Sequence, residues 1–278
     1  MKFPPSRLLF NDYLKKVKQK DLPLVTMPNQ KNVDQTTSTM LNGNNSLSQK
    51  ILLTDDDIGD DHLMTSLETP LRPDAFDLSD EEKMAKIEQH FREIMLTLGL
   101  DLDDDSLQGT PRRVAKMYVQ EIFSGLNPNN KPKVALFDNK YGYYEMLVEK
   151  DITFYSNCEH HFVPIVGKAH VAYISNGSVI GLSKLNRIVQ YFAKRPQVQE
   201  RLTMQIAQEL CNILGTDDVA IVIDAHHLCV SSRGVQDVNS STVTAYFGGQ
   251  FMKEARKTEF LSYLNLSSKN KVTEVLQS

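Results

Sequence analysis

The sequence predicts an α+β protein in which an antiparallel sheet carries helices on one face and is preceded by an N-terminal helical region. Three observations carry this reading. Helix-period and strand-period segments come in pairs, two helices, two strands, two helices, two strands, with no regular strand-helix-strand alternation. The first two strand segments are separated only by a short break from His160 to Pro164, which makes them antiparallel neighbours. The chain has 278 residues, 41% of them hydrophobic, enough to build a core around such a sheet.

The first helix opens at Ser79, where Ser-Asp-Glu-Glu sets Glu82 three residues behind a capping serine. Met84, Ile87, Phe91, Ile94, Met95 and Leu98 then recur at three and four, and Gly99 stops the run. The second opens at Thr110-Pro111, a capping residue with proline at the first helical position, and ends near Gly125. From Tyr144 the texture becomes strand, in EMLVEKDITFYSN and again in GKAHVAYIS. GLSKLNRIVQYFAKR reads as a helix capped by Ser183, and Pro196 starts another, QVQERLTMQIAQELCNIL, closed by Gly215. Two more strands follow, DVAIVIDAHHLCVSS and STVTAYFGG. There is no internal repeat and no phosphate-binding or dinucleotide glycine motif.

Residues 1–66 differ from the rest: a basic start, the polar tract PNQKNVDQTTSTMLNGNNSLSQ and the acidic run DDDIGDDH hold too little apolar surface to offset the cost of ordering. They are expected to form a flexible extension, either a solvated tail or a regulatory or partner-binding arm. Residues 67–143 form the helical region and 144–278 the sheet-bearing domain. Lys and Arg number 31 against 35 Asp and Glu, a net charge of -4, which gives no general attraction to nucleic acid or an anionic membrane. No apolar run approaches the roughly 18 residues of a membrane span, and the basic start lacks a secretory core, so a cytoplasmic location is expected. Three cysteines, Cys158, Cys211 and Cys229, are too few for a disulfide framework. Cys211 sits among Ile206, Leu210, Ile213 and Leu214 as a core residue, and His170 and His226 read as structural.

The chemistry concentrates in Cys158-Glu159-His160-His161, where a thiol and an imidazole three apart in a turn suit one metal ion. His226-His227-Leu228-Cys229 lies on a later strand, whose alternation projects His227 and Cys229 from one face. Cys158, His161 and Cys229 make three ligands, leaving a fourth position for water and two further histidines, His160 and His227, for proton transfer. That surplus favours catalytic zinc, with structural zinc and metal-free packing as the other readings. Ser183, Lys184 and Arg187 open a helix whose free N–H groups and positive dipole end suit a phosphate; Arg233 and Arg113 are the cations that join them, against a reading of solvated surface charge. Gln199-Glu200 is favourable helix-start electrostatics or a reader of a guanine-type edge, since a carboxylate accepts two parallel N–H bonds.

CEHHFVPIVGKAHVAYI, VIGLSKLNRIVQYFAKRPQVQERLT, DAHHLCVSSRGVQD and TPRRVAKMYVQEIFSGL together resemble the zinc-dependent GTP cyclohydrolase I family, from about Leu67 through Leu264. The resemblance implies a tunnelling fold, a four-stranded antiparallel sheet backed by two helices, in a homodecamer of two five-membered rings with sites at subunit interfaces. It implies conversion of GTP and water to 7,8-dihydroneopterin triphosphate and formate, the first step toward pterins and tetrahydrofolate. By the same resemblance Cys158, His161 and Cys229 bind Zn²⁺, and His160 and His227 are catalytic. Gln199 and Glu200 take the guanine, and Arg113, Ser183, Lys184, Arg187 and Arg233 take the triphosphate.

Overall fold

A computed structural model describes residues 66–266; the expected extension before Ser66 lies outside the described residues. The first helix, α1 (Asp80–Thr97), begins as its sequence requires: the Ser79 hydroxyl accepts the Glu82 N–H at 3.2 Å and the Glu82 carboxylate accepts the Ser79 N–H at 2.8 Å. Only Met95 of its apolar stripe is fully buried; Ile94 and Leu98 face outward. Helix α2 (Thr110–Lys116) is capped by Gly109 and not by Thr110, so the proline falls one position deeper than expected. It then widens into a π-helical stretch, Met117–Ile122, before the chain tightens at Ser124–Leu126.

Two short strands, β1 (Leu136–Asp138) and β4 (Ser178–Ile180), pair antiparallel beside the main sheet. That sheet runs in the order β5-β2-β3-β6-β7, from β2 (Met146–Cys158), β3 (Pro164–Ile174), β5 (Pro196–Gln197), β6 (Val219–His227) and β7 (Thr242–Phe247). The four long strands are antiparallel neighbours; β5 adds a two-residue parallel edge to β2, pairing Cys158 with Gln197. Register brings the chemistry to one end: Asn157 pairs with Pro164, and Ile165 with His227.

Helices α3 (Leu182–Ala193) and α4 (Gln199–Leu214) cover one face of the sheet. Phe154, Ile188, Leu202, Ile206, Ile221 and Ile223 meet there in the main core. Gly215 closes α4 at φ 65°, a left-handed cap that glycine adopts without penalty. The opposite face is covered in part by α6 (Glu254–Leu264), whose Phe260 packs with Phe251, Ile174 and Val222. The helical region is stitched to the end of α3 through Gly125, whose N–H donates to the Lys194 carbonyl at 2.9 Å and whose carbonyl accepts Arg195 Nε at 2.9 Å.

Candidate active site

Cys158 ends β2, and the chain reverses at once: Phe162 N–H donates to the Cys158 carbonyl at 2.8 Å and Cys158 N–H to the Val163 carbonyl at 2.9 Å. This turn folds His161 back so that its Nδ1 stands 3.9 Å from Cys158 Sγ. The third sulfur arrives differently from the alternation expected of a strand. β6 stops at His227, and Leu228–Ser231 forms a single helical turn, α5, which carries Cys229 to the cluster. Ligand atoms of Cys158, His161 and Cys229 all lie within 4.8 Å of one another.

The donor set fits zinc. Tetrahedral bonds of about 2.0–2.3 Å set neighbouring ligand atoms about 3.5 Å apart, close to the spacing between Cys158 and His161. Burial first, and then the adjacent Cys158 thiol, push the Cys229 thiol up to about 11. A buried thiol whose ionisation is opposed by its surroundings and by a sulfur beside it, as at Cys229, is one that a divalent cation relieves.

His160 lies exposed beside this turn, its Nδ1 3.6 Å from Cys158 Sγ. Its Nε2 is 4.0 Å from Glu159, whose carboxylate forms a two-toothed pair with Arg201. Arg201 is buried, and its Nε also donates to the Ser66 carbonyl at 2.8 Å. Neither Glu159 nor Arg201 was anticipated from the sequence. The available signal was polar residues one turn apart, Arg201 and Gln205, both buried beside the apolar stripe of α4.

His227 is half-buried, and burial holds it below the ordinary imidazole value, with Glu200 pulling the other way. Its Nε2 is 2.7 Å from Gln199 Oε1. Gln199 is only 2% exposed, whereas the neighbouring Glu200 faces solvent. Arg233 also joins this end of the sheet, with Nη1 2.9 Å from His161 Nε2.

The other predicted cations stand elsewhere. Gly181, not Ser183, caps α3, leaving Ser183 exposed in the first turn with Lys184 and then Arg187. Asn186 of this helix reaches Glu149 at 3.1 Å, and Gln190 reaches the Thr153 carbonyl at 2.6 Å, so α3 starts beside the far part of β2. At about 3.3 Å per residue, Glu149 lies some 25–30 Å along the strand from Cys158. Arg113 is exposed on α2, and no hydrogen bond or ion pair among the described residues joins it to the cysteine–histidine cluster.

A family model described as GTP cyclohydrolase I matches residues 87–265. A protein of Flavobacterium johnsoniae named GTP cyclohydrolase 1 is 64% identical over 213 residues, covering 77% of this chain and 96% of that protein. The chain belongs to the GTP cyclohydrolase I family. Proteins of the same name from Vibrio parahaemolyticus, 58% identical over 196 residues, and Salmonella arizonae, 54% over 218, cover 70% and 78% of the chain. They are themselves covered to 89% and 96%. The matched span contains every predicted site residue of the GTP cyclohydrolase I reading, from Arg113 to Arg233. The antiparallel sheet with α3 and α4 on one face is the tunnelling fold of this family.

Proposed function

We propose that this chain converts GTP and water to 7,8-dihydroneopterin triphosphate and formate, the first step of pterin and tetrahydrofolate formation. The convergence of Cys158, His161 and Cys229 within 4.8 Å, with His227 and His160 beside them, carries the proposal. These three residues would hold Zn²⁺. When bound, the ion supplies Lewis-acid chemistry that polarises an electrophile and makes water a nucleophile near neutral pH.

The chain's own residues do the rest. His227, neutral at its depressed value, exchanges a proton with an imidazole-ring nitrogen of the purine as the ring opens at C8. His160, held beside the Glu159–Arg201 pair, assists opening of the ribose. Glu200 faces solvent at the start of α4 and receives the N–H edge of the guanine. Ser183, Lys184, Arg187, Arg233 and Arg113 take the triphosphate.

The separation of the α3 cations from the metal cluster supports a site completed between subunits, since one GTP cannot touch both within a chain. We read the assembly as a homodecamer of two five-membered rings, with Arg113 supplied by a neighbouring copy. No described helix is long and apolar enough to cross a membrane, and the three cysteines are unpaired, which suits a reducing cytoplasm.

Zinc analysis and GTP turnover on purified protein test the reading. His227→Ala is expected to keep its zinc and its fold while losing turnover by about 10²- to 10⁴-fold, the span of acid–base catalysis. A wild-type protein that binds zinc but leaves GTP untouched would make the cluster a structural one.

A further inference from the structure

Gln199 and His227 belong to a chain of hydrogen bonds whose direction can be followed throughout. Thr203 Oγ1 lies 2.9 Å from the Gln199 main-chain carbonyl, which only accepts, so the Thr203 proton is committed there. Thr203 Oγ1 also lies 2.7 Å from Thr244 Oγ1, which makes Thr244 the donor of that pair. Thr244 Oγ1 is thereby left as an acceptor for Gln199 Nε2 at 3.2 Å. The carbonyls of Thr242 and Ile223 accept from the same nitrogen at 2.8 and 3.2 Å. Three acceptors on one side determine which end of the amide is nitrogen, an assignment that geometry alone rarely decides. Gln199 Oε1 therefore faces His227 Nε2, and an amide oxygen can only accept. The neutral ring carries its proton on Nε2 and its lone pair on Nδ1.

We propose that Gln199 is a positioning residue that holds the His227 ring in one orientation and in the Nε2–H tautomer, leaving Nδ1 as the acceptor nitrogen of the neutral ring. The proposal rests on the reading of His227 as the acid–base group. It moves Gln199 from the guanine contact implied by family resemblance to a place beneath the histidine, where its 2% exposure leaves no amide face for a ligand.

Histidine labelled with ¹⁵N in the full-length holoenzyme, with His227→Ala to assign the resonance, is expected to show a protonated Nε2 and a bare Nδ1 at neutral pH. The reverse tautomer overturns the proposal whether or not GTP is turned over, so this measurement is independent of the proposed activity. In Gln199→Met the His227 signals should shift toward a mixture of tautomers, and kcat should fall about 10- to 100-fold, the usual cost of losing an orienting partner. KM for GTP should change by less than about threefold. Preference for GTP over inosine triphosphate, which lacks the exocyclic amine, should persist. A raised KM with kcat kept, a lost preference, or an unchanged His227 signal would return Gln199 to the base. Should Gln199→Met fail to fold, Thr244→Val removes a single acceptor from the amide, and a kcat reduction of about two- to fivefold with the same preference is expected. An unaltered kcat in Thr244→Val, or a lost preference, would count against the proposal.

Discussion

His170 sits in β3 opposite a bulge in β2, and its Nδ1 accepts the N–H of Asp151 at 3.1 Å, where the backbone turns through φ 61°. Burial is the main reason that its imidazole titrates below the ordinary value, with Asp151 opposing. A depressed histidine stabilises the fold fully above the unfolded value of about 6.5, and that contribution is lost as pH falls from there toward the folded value. Urea midpoints measured at successive pH values from 8 to 5 should therefore fall more for wild type than for His170→Asn, whose Oδ1 can accept the same N–H without titrating. Equal slopes would mean that the ring does not report on folding. At this scale the sequence was a partial guide: it marks His227 and Gln199 as polar residues at element ends, but not that one bonds the other. That contact depends on β7, more than forty positions beyond Gln199, supplying Thr242 and Thr244. A periodicity reports which face a side chain takes, not which way its amide points.

Among the elements, those with strong local signals stand where the sequence puts them. The capping box of α1 and the four long strands follow from contacts between near neighbours and from alternation. Several features escaped: Pro196, read as a helix start, lies in β5 and the helix begins only at Gln199, and the short β1–β4 pair was not expected; three more are instructive. Helix α6 has Phe260 as its one fully buried side chain, too sparse a stripe to read without the surface it covers. The helical turn that carries Cys229 is only four residues long, shorter than any periodicity can register. The π-helical stretch after α2 ends at Ile122, and in the tight turn that follows Gly125 lets two backbones touch: a Cβ there would fall 2.0 Å from the Tyr191 carbonyl and 2.8 Å from that of Lys194. Gly125→Ala must push the helical region off α3, and an unfolding cost of about 1–3 kcal/mol is expected, as for other overpacked contacts. Denaturant titration measures it. A cost below about 0.5 kcal/mol, the range of ordinary surface changes, would show that the joint yields easily.

For the whole molecule, the decisive geometry is the distance between the two ends of β2. The Cys158–His161–Cys229 cluster and His227 occupy one end, while Ser183, Lys184 and Arg187 stand near the other. Arg187→Ala and His227→Ala chains should each be inactive alone. Mixed by denaturation and joint refolding, they should regain activity, because some interfaces then pair an intact histidine end with an intact arginine end. Random assortment of two variants leaves about a quarter of such interfaces whole in a closed ring. No recovery in mixtures that demonstrably contain both chains would place all the groups within one subunit. Neither end is unusual in sequence, and their separation emerges only once α3 is laid along the strand.

The two-residue strand β5 joins Cys158 to the start of α4, and the Glu159 N–H donates to the Gln197 carbonyl at 3.0 Å. Freeing the sulfur of Cys158 from its place therefore means parting β5 from β2 and loosening the first turn of the helix that bears Gln199 and Glu200. Opening of the cluster and of the helix start that bears Gln199 and Glu200 is therefore expected to be one cooperative event, with amide protons at Cys158, Glu159 and Leu202 exchanging with solvent at a common rate.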